Sequence, residues 1–148
     1  MKSGSLNEIE TKEMYWEMEN QSTLNIEYFR KFAKDHQDVE LFGLARTTST
    51  TLFSRFGRAA VDIESIAEEL NVTKRTLQRR LLRNGWPFTK IRDICRLSVA
   101  FELLLNTSRS IDSISLHLGF KDRTSFTIAF KRWTGIPPYR FRKLNQLC

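Results

Sequence analysis

Residues 110–135 read SIDSISLHLGFKDRTSFTIAFKRWTG, and this stretch decides the fold. Ser110 is an N-cap residue placed before Ile111, Ile114 and Leu118, an apolar set at helical spacing. Gly119 and Phe120 make a turn, Asp122 caps again, and Phe126 and Phe130 lie four apart on the inner face of a second helix that Gly135 closes. The same grammar occurs about 49 residues earlier. Asp62 caps a helix with Ile63, Ile66, Ala67 and Leu70 inward, and Asn71-Val72 turns. Thr73 then caps a helix with Leu77 and Leu81 inward, closed by Asn84-Gly85. A helix, tight turn, helix unit occurring twice is an internal duplication.

Between the units, residues 90–106 carry Ile94, Leu97, Ala100, Phe101 and Leu104 without interruption. These 17 residues predict a connecting helix of roughly 25 Å, able to hold two reading heads near one duplex turn apart, roughly 34 Å. Upstream, Leu24, Tyr28, Phe29 and Phe32 place a helix over 23–35. Leu41, Leu44, Leu52, Phe53 and Phe56 place another over 40–56. Thr47-Thr48-Ser49-Thr50-Thr51 is expected to break it, since such residues are poor helix formers. Residues 1–20 show no firm period. The expected fold class is all-α: two helix-turn-helix subdomains joined by a long connecting helix, plus a short helical N-terminal appendage. Residues 1–39 form that appendage, partly helical or disordered. Residues 40–148 form the domain, with units near 62–85 and 110–135.

The net charge of +7 is unevenly spread. Residues 1–55 hold seven Lys+Arg and nine Asp+Glu, a net of −2; residues 56–148 hold seventeen and eight, a net of +9. Such a basic region is the footprint of a polyanion partner, although charge alone fits a solvated basic surface equally well. Cys95 and Cys148 make neither a disulfide framework nor a four-ligand metal site, and His36 and His117 lack ligand-spaced neighbours. No metal, cofactor or catalytic residue is expected, because there is no phosphate-binding Gly loop, nucleophile elbow or carboxylate pair. No apolar run is long enough to span a membrane. A reduced, cytoplasmic compartment fits this cysteine usage.

Arg96-Leu97-Ser98-Val99-Ala100-Phe101-Glu102-Leu103-Leu104 resembles the connecting helix of the AraC/XylS family of transcription regulators. Ile111-Asp112-Ser113-Ile114, Leu118-Gly119-Phe120, Phe126, Phe130-Lys131-Arg132-Trp133-Thr134-Gly135, Pro137-Pro138 and Phe141-Arg142 continue the likeness. Thr73 to Leu81 is similar to the family's first recognition helix. The resemblance covers about residues 40–148. It implies an all-α domain of about seven helices, two of them entering adjacent major grooves of double-stranded DNA. It also implies activation of transcription and contact with RNA polymerase. The family signature further implies a structural Arg96 inside the interface of the connecting helix.

With Leu77 and Leu81 inward, a 100° step per residue points Arg75 and Arg79 outward, flanked by Thr76 and Gln78. Arg can bond guanine O6 and N7 together, and Gln can bond adenine N6 and N7. In the second unit Thr124 and Ile128 point outward beside Ser125 and Thr127. Ile128 cannot donate to a base edge; it packs on a thymine methyl, or the second head mainly positions the protein, or the side chain touches neither base nor core. Lys74, Arg80, Arg83, Lys121, Arg123, Lys131, Arg132 and Arg142 suit phosphates, each with a plain solvated charge as the alternative. Lys90, Arg92 and Arg140 are further candidates of that kind. Trp86, Phe88, Phe120 and Trp133 are expected in the core rather than as base-stacking platforms.

Overall fold

The computed structural model describes residues 43–146, so the expected helix over 23–35, the appendage 1–39 and Cys148 lie outside the described residues. Seven helices and no strand occur among the described residues. They are α1 (Gly43–Arg55), α2 (Ile63–Glu69), α3 (Lys74–Arg83), α4 (Phe88–Asn106), α5 (Ile111–His117), α6 (Arg123–Thr134) and α7 (Pro138–Gln146). No described helix is long and apolar enough to cross a membrane.

All four expected caps form. Asp62 accepts from the Ser65 N–H at 2.9 Å, Thr73 from Thr76 at 3.0 Å, Ser110 from Ser113 at 3.0 Å and Asp122 from Ser125 at 2.8 Å. Each bond satisfies a backbone donor that the first helical turn leaves free. Asn71 makes the first tight turn at φ +57°, a left-handed conformation that Asn tolerates. Gly119 makes the second at φ +80°, and there a Cβ would meet Val61 Cγ2 at 2.4 Å. The turn of the second unit thus rests directly on the residue that leads into the first.

Helix α4 is the spine. It begins at Phe88, two residues earlier than the periodicity indicated, behind a Pro87 N-cap. Ile91, Cys95, Ala100, Phe101 and Leu104 are buried along it, and α1, α3, α5 and α7 all pack against it. The C-terminal half of its core is aromatic. Phe101 stacks on Phe141 at 5.1 Å between centroids and meets Phe130 edge-on at 6.0 Å. Phe130 also contacts Phe126 at 5.8 Å and Phe141 at 5.5 Å.

Helix α1 corrects one expectation, since the Thr/Ser run does not break it. Four hydroxyls donate one turn back, Thr47 to the Gly43 carbonyl, Thr48 to Leu44, Thr50 to Arg46 and Thr51 to Thr47, so none competes for a non-helical partner. Ala45, Thr48 and Ser49 are buried together with Leu52. Ser49 Oγ lies 3.4 Å from Cys95 Sγ on α4. Small side chains here let the two helix backbones approach, and tertiary packing overrides weak propensity. Burial pushes the Cys95 thiol up to about 12, so it is inert at neutral pH.

Trp86, Phe88 and Trp133 are buried and Phe120 is half-buried, so all four belong to the core. Removing the Phe130 ring would open the aromatic cluster where α4, α6 and α7 meet. Phe130→Ala should therefore cost about 3–5 kcal/mol, seen as a large fall in the thermal midpoint. A change of a few tenths of a kcal/mol would place the ring outside the core.

Candidate nucleic-acid interface

The two candidate recognition helices, α3 and α6, are built alike. Leu77 and Leu81 are completely buried on α3, as are Phe126 and Phe130 on α6. These anchors fix which residues face away from the core. On α3 the outward residues are Arg75, Gln78 and Arg79, all exposed. Thr76 is half-buried, and its hydroxyl receives a hydrogen bond from the Thr73 hydroxyl, so it works partly for the cap. On α6, Thr124 is exposed and Ile128 is 62% exposed, while Ser125 and Thr127 are half-buried. An exposed isoleucine in the middle of a recognition helix is the least expected residue on this surface.

Most of the surrounding cations are also exposed: Lys74, Arg80, Arg83, Lys121, Arg123, Lys131 and Arg132. Three have acidic neighbours. Lys74 Nζ is 2.7 Å from Glu64, Arg123 is 3.9 Å from Asp112 and Arg132 is 3.9 Å from Asp93. These are open, solvent-facing pairs that contribute little and yield readily to a phosphate. Asp93 is the most sheltered of the acids, and its burial holds its carboxyl above the usual carboxylate range against the opposing pull of Arg132. Sequence reading missed Asp93, because the ion pair joins residues on two separate helices.

Arg142 is a correction. Its guanidinium is half-buried and donates to four carbonyls: Leu104 at 3.0 Å, Arg109 at 2.6 Å, Leu103 at 3.2 Å and Thr107 at 3.3 Å. It ties α7 to the C-terminal end of α4, where unpaired carbonyls need donors, and is committed to the fold rather than offered to a phosphate. No local period reveals this, since the partners lie 33–39 residues away in sequence. Lys90 and Arg92 sit over the Trp86 and Phe88 rings, each at 5.5 Å from the centroid.

Arg96 holds the structural place that the family signature implies. It is buried in the middle of α4, with Nε donating to the Leu118 carbonyl at 2.9 Å and Nη2 to Gly119 at 3.1 Å. Its guanidinium lies 4.1 Å from the Phe120 ring centroid. Burial, then the neighbouring Arg92, lowers its pKa to about 10, which leaves it charged at neutral pH. One side chain thereby clamps the turn of the second unit to the connecting helix and sets the approach of α6.

A family model described as a helix-turn-helix domain matches residues 66–144, more than half of the chain. The chain belongs to the AraC/XylS family. It is similar to the transcriptional regulator VqsM of Pseudomonas aeruginosa, with 42% identity over 76 residues, 51% of this chain and 23% of that protein. The C-terminal domain of AraT, a response regulator from Geobacillus stearothermophilus, superposes with a TM-score of 0.61 at 30% identity, covering 70% of this chain and 86% of that one. The DNA-binding domain of AdpA, solved in complex with a target DNA, shares the fold, with a TM-score of 0.59 at 24% identity over 70% of this chain and 93% of that one. The chain spans about a quarter of the length of the curated relatives it matches. The matched region is an AraC-type DNA-binding domain and not a catalytic one.

Lysine cannot reproduce the fork that Arg96 presents to two carbonyls. Arg96→Lys should destabilise the domain by roughly 1.5–3 kcal/mol, the range for hydrogen bonds to a charged group. Thermal denaturation measures it. An unchanged midpoint would show that the clamp is dispensable.

Proposed function

We propose that the chain is a sequence-specific double-stranded DNA-binding transcription regulator that reads two adjacent major-groove segments, one with α3 and one with α6. The observation that supports this reading is the pair of capped helices, each anchored by two fully buried side chains, α3 packed on α4 and α6 meeting it through the Phe101–Phe130 contact. We place the DNA-binding domain at 40–148, with residues 1–39 as an appendage of which residues 1–20 take no part in DNA binding. The resemblance to AraC/XylS regulators favours activation through a contact with RNA polymerase in the cytoplasm.

The two heads do unequal work. Arg75, Gln78 and Arg79 supply directional donors, supported by Thr76. Thr124, Ser125, Thr127 and Ile128 supply fewer, and Ile128 offers a methyl surface suited to thymine. Lys74, Arg80, Arg83, Lys121, Arg123, Lys131 and Arg132 take phosphates and set register without reading sequence.

Arg79→Ala should lower discrimination within its half-site by roughly 1–3 kcal/mol, the range for a bidentate base contact, and Ile128→Ala should do less. Lys131→Gln should weaken all duplexes alike and reduce the slope of log affinity against log salt by about one. Fluorescence anisotropy on a cognate duplex, and on variants altered in one half at a time, separates these effects. Equal loss of specificity from Arg79→Ala and Ile128→Ala would overturn the asymmetry. Salt-independent binding would overturn the DNA reading itself.

A further inference from the structure

Away from the recognition faces, a cleft of about 580 Å³ opens between the link that follows α1 and the first helix of the second unit, α5. Arg58, Arg109, Ser113 and His117 line it, with Ala59 and Leu116 at its apolar side, and none of its lining residues is a carboxylate. The walls are held closely. The Gly57 N–H donates to the His117 carbonyl at 2.9 Å. Gly57 has φ +76°, and a Cβ there would fall 2.5 Å from His117 Nδ1, so the link lies directly against the imidazole. Arg109 is oriented by Nε donating to Ser113 Oγ at 3.0 Å, and its Nη1 lies 3.3 Å from His117 Nδ1.

We propose that this cleft is a binding site for a small oxyanion, the charged end of a phosphate-bearing ligand. The Arg109 guanidinium meets one imidazole and one hydroxyl, and Arg58 lines the same cleft. No ion pair found among the described residues involves Arg58 or Arg109. The nearest acid on α5, Asp112, faces Arg123 at 3.9 Å instead. Forked donors suit a tetrahedral oxyanion, and Leu116, 67% exposed, offers an apolar surface for an attached organic portion. Burial, then Arg109, lowers the His117 pKa, which leaves the ring neutral and able to accept from Arg109 at neutral pH. A bound anion reverses that balance and favours the imidazolium. Arg58 lies in the link between α1 and α2, Arg109 just before α5 and His117 at the end of α5, so an anion held by all three ties that link to the second unit. A duplex-backbone phosphate and the phosphate of a free small molecule share this chemistry.

The test follows the His117 ring resonances of the full chain by NMR, with His36 as internal reference. Inorganic sulfate, doubly charged across the whole titration, is added at constant ionic strength balanced by chloride. The expected result is a saturable shift confined to His117 and a raised His117 pKa. Binding should be about tenfold tighter below that pKa than above it, the equivalent of one pKa unit. Arg58→Gln should abolish the shift while leaving the melting temperature unchanged. Addition of a cognate duplex distinguishes the sources. Displacement of sulfate, with the same His117 shift, assigns the site to the DNA backbone; retention of sulfate on the duplex complex assigns it to a free ligand. Equal movement of His36 and His117, or an undiminished shift in Arg58→Gln, overturns the proposal.

Discussion

Helix α4 has to satisfy two half-domains at once, and its buried face is the constraint on which the rest depends. Ile91 and Cys95 lie in its N-terminal half and Phe101 and Leu104 in its C-terminal half, all of them essentially inaccessible to water. Each large apolar side chain buried in this way stabilises by about 1.5–3 kcal/mol. Neither short helix pair has enough apolar surface to form a core alone. The α2–α3 pair contributes Ile66, Ala67, Leu77 and Leu81, and the α5–α6 pair contributes Ile114, Leu118, Phe126 and Phe130. Burial against a shared helix therefore couples the positions of the two recognition helices to one rigid element.

Directional bonds refine what the apolar contacts bring together. Arg96 ties the turn between α5 and α6 to the middle of α4, and Arg142 ties α7 to the C-terminal end of α4. Both are arginines used for their forked geometry and permanent charge at helix-end carbonyls, not for solubility. The side-chain caps then fix where each recognition helix starts. This arrangement leaves the outward faces of α3 and α6 largely free of structural duties, apart from Thr76 and from Ser125, whose hydroxyl bonds the Asp122 cap. Their chemistry differs even though their frameworks match: guanidinium and amide groups on one, hydroxyls and a bare isoleucine on the other.

Features encoded within a few residues were legible in the sequence. Asp62, Thr73, Ser110 and Asp122 could be identified as caps because capping acts over three residues. The buried faces of α3 and α6 followed from the four-residue spacing of Leu77 with Leu81 and of Phe126 with Phe130. Arg96 was legible only through the family resemblance, since no periodicity marks an arginine that bonds to carbonyls 22 and 23 residues away. The persistence of α1 through its Thr/Ser run was not legible, because its stability comes from packing on α4 and not from local preference. Arg142 looked like one more surface cation for the same reason: its four acceptors converge only in the folded chain. The oxyanion cleft joins residues 57–59 to residues 109–119 and has no counterpart in any linear motif.

On the function proposed above, two recognition helices joined by one connecting helix of about 28 Å engage consecutive major grooves from one side of the duplex. Guanine-methylation interference and hydroxyl-radical footprinting of the chain on its highest-affinity site test it most directly. The expected result is two interference clusters centred about 10–10.5 base pairs apart, with backbone protection confined to one face of the helix. A single cluster, or two clusters offset by half a turn onto opposite faces, would contradict it.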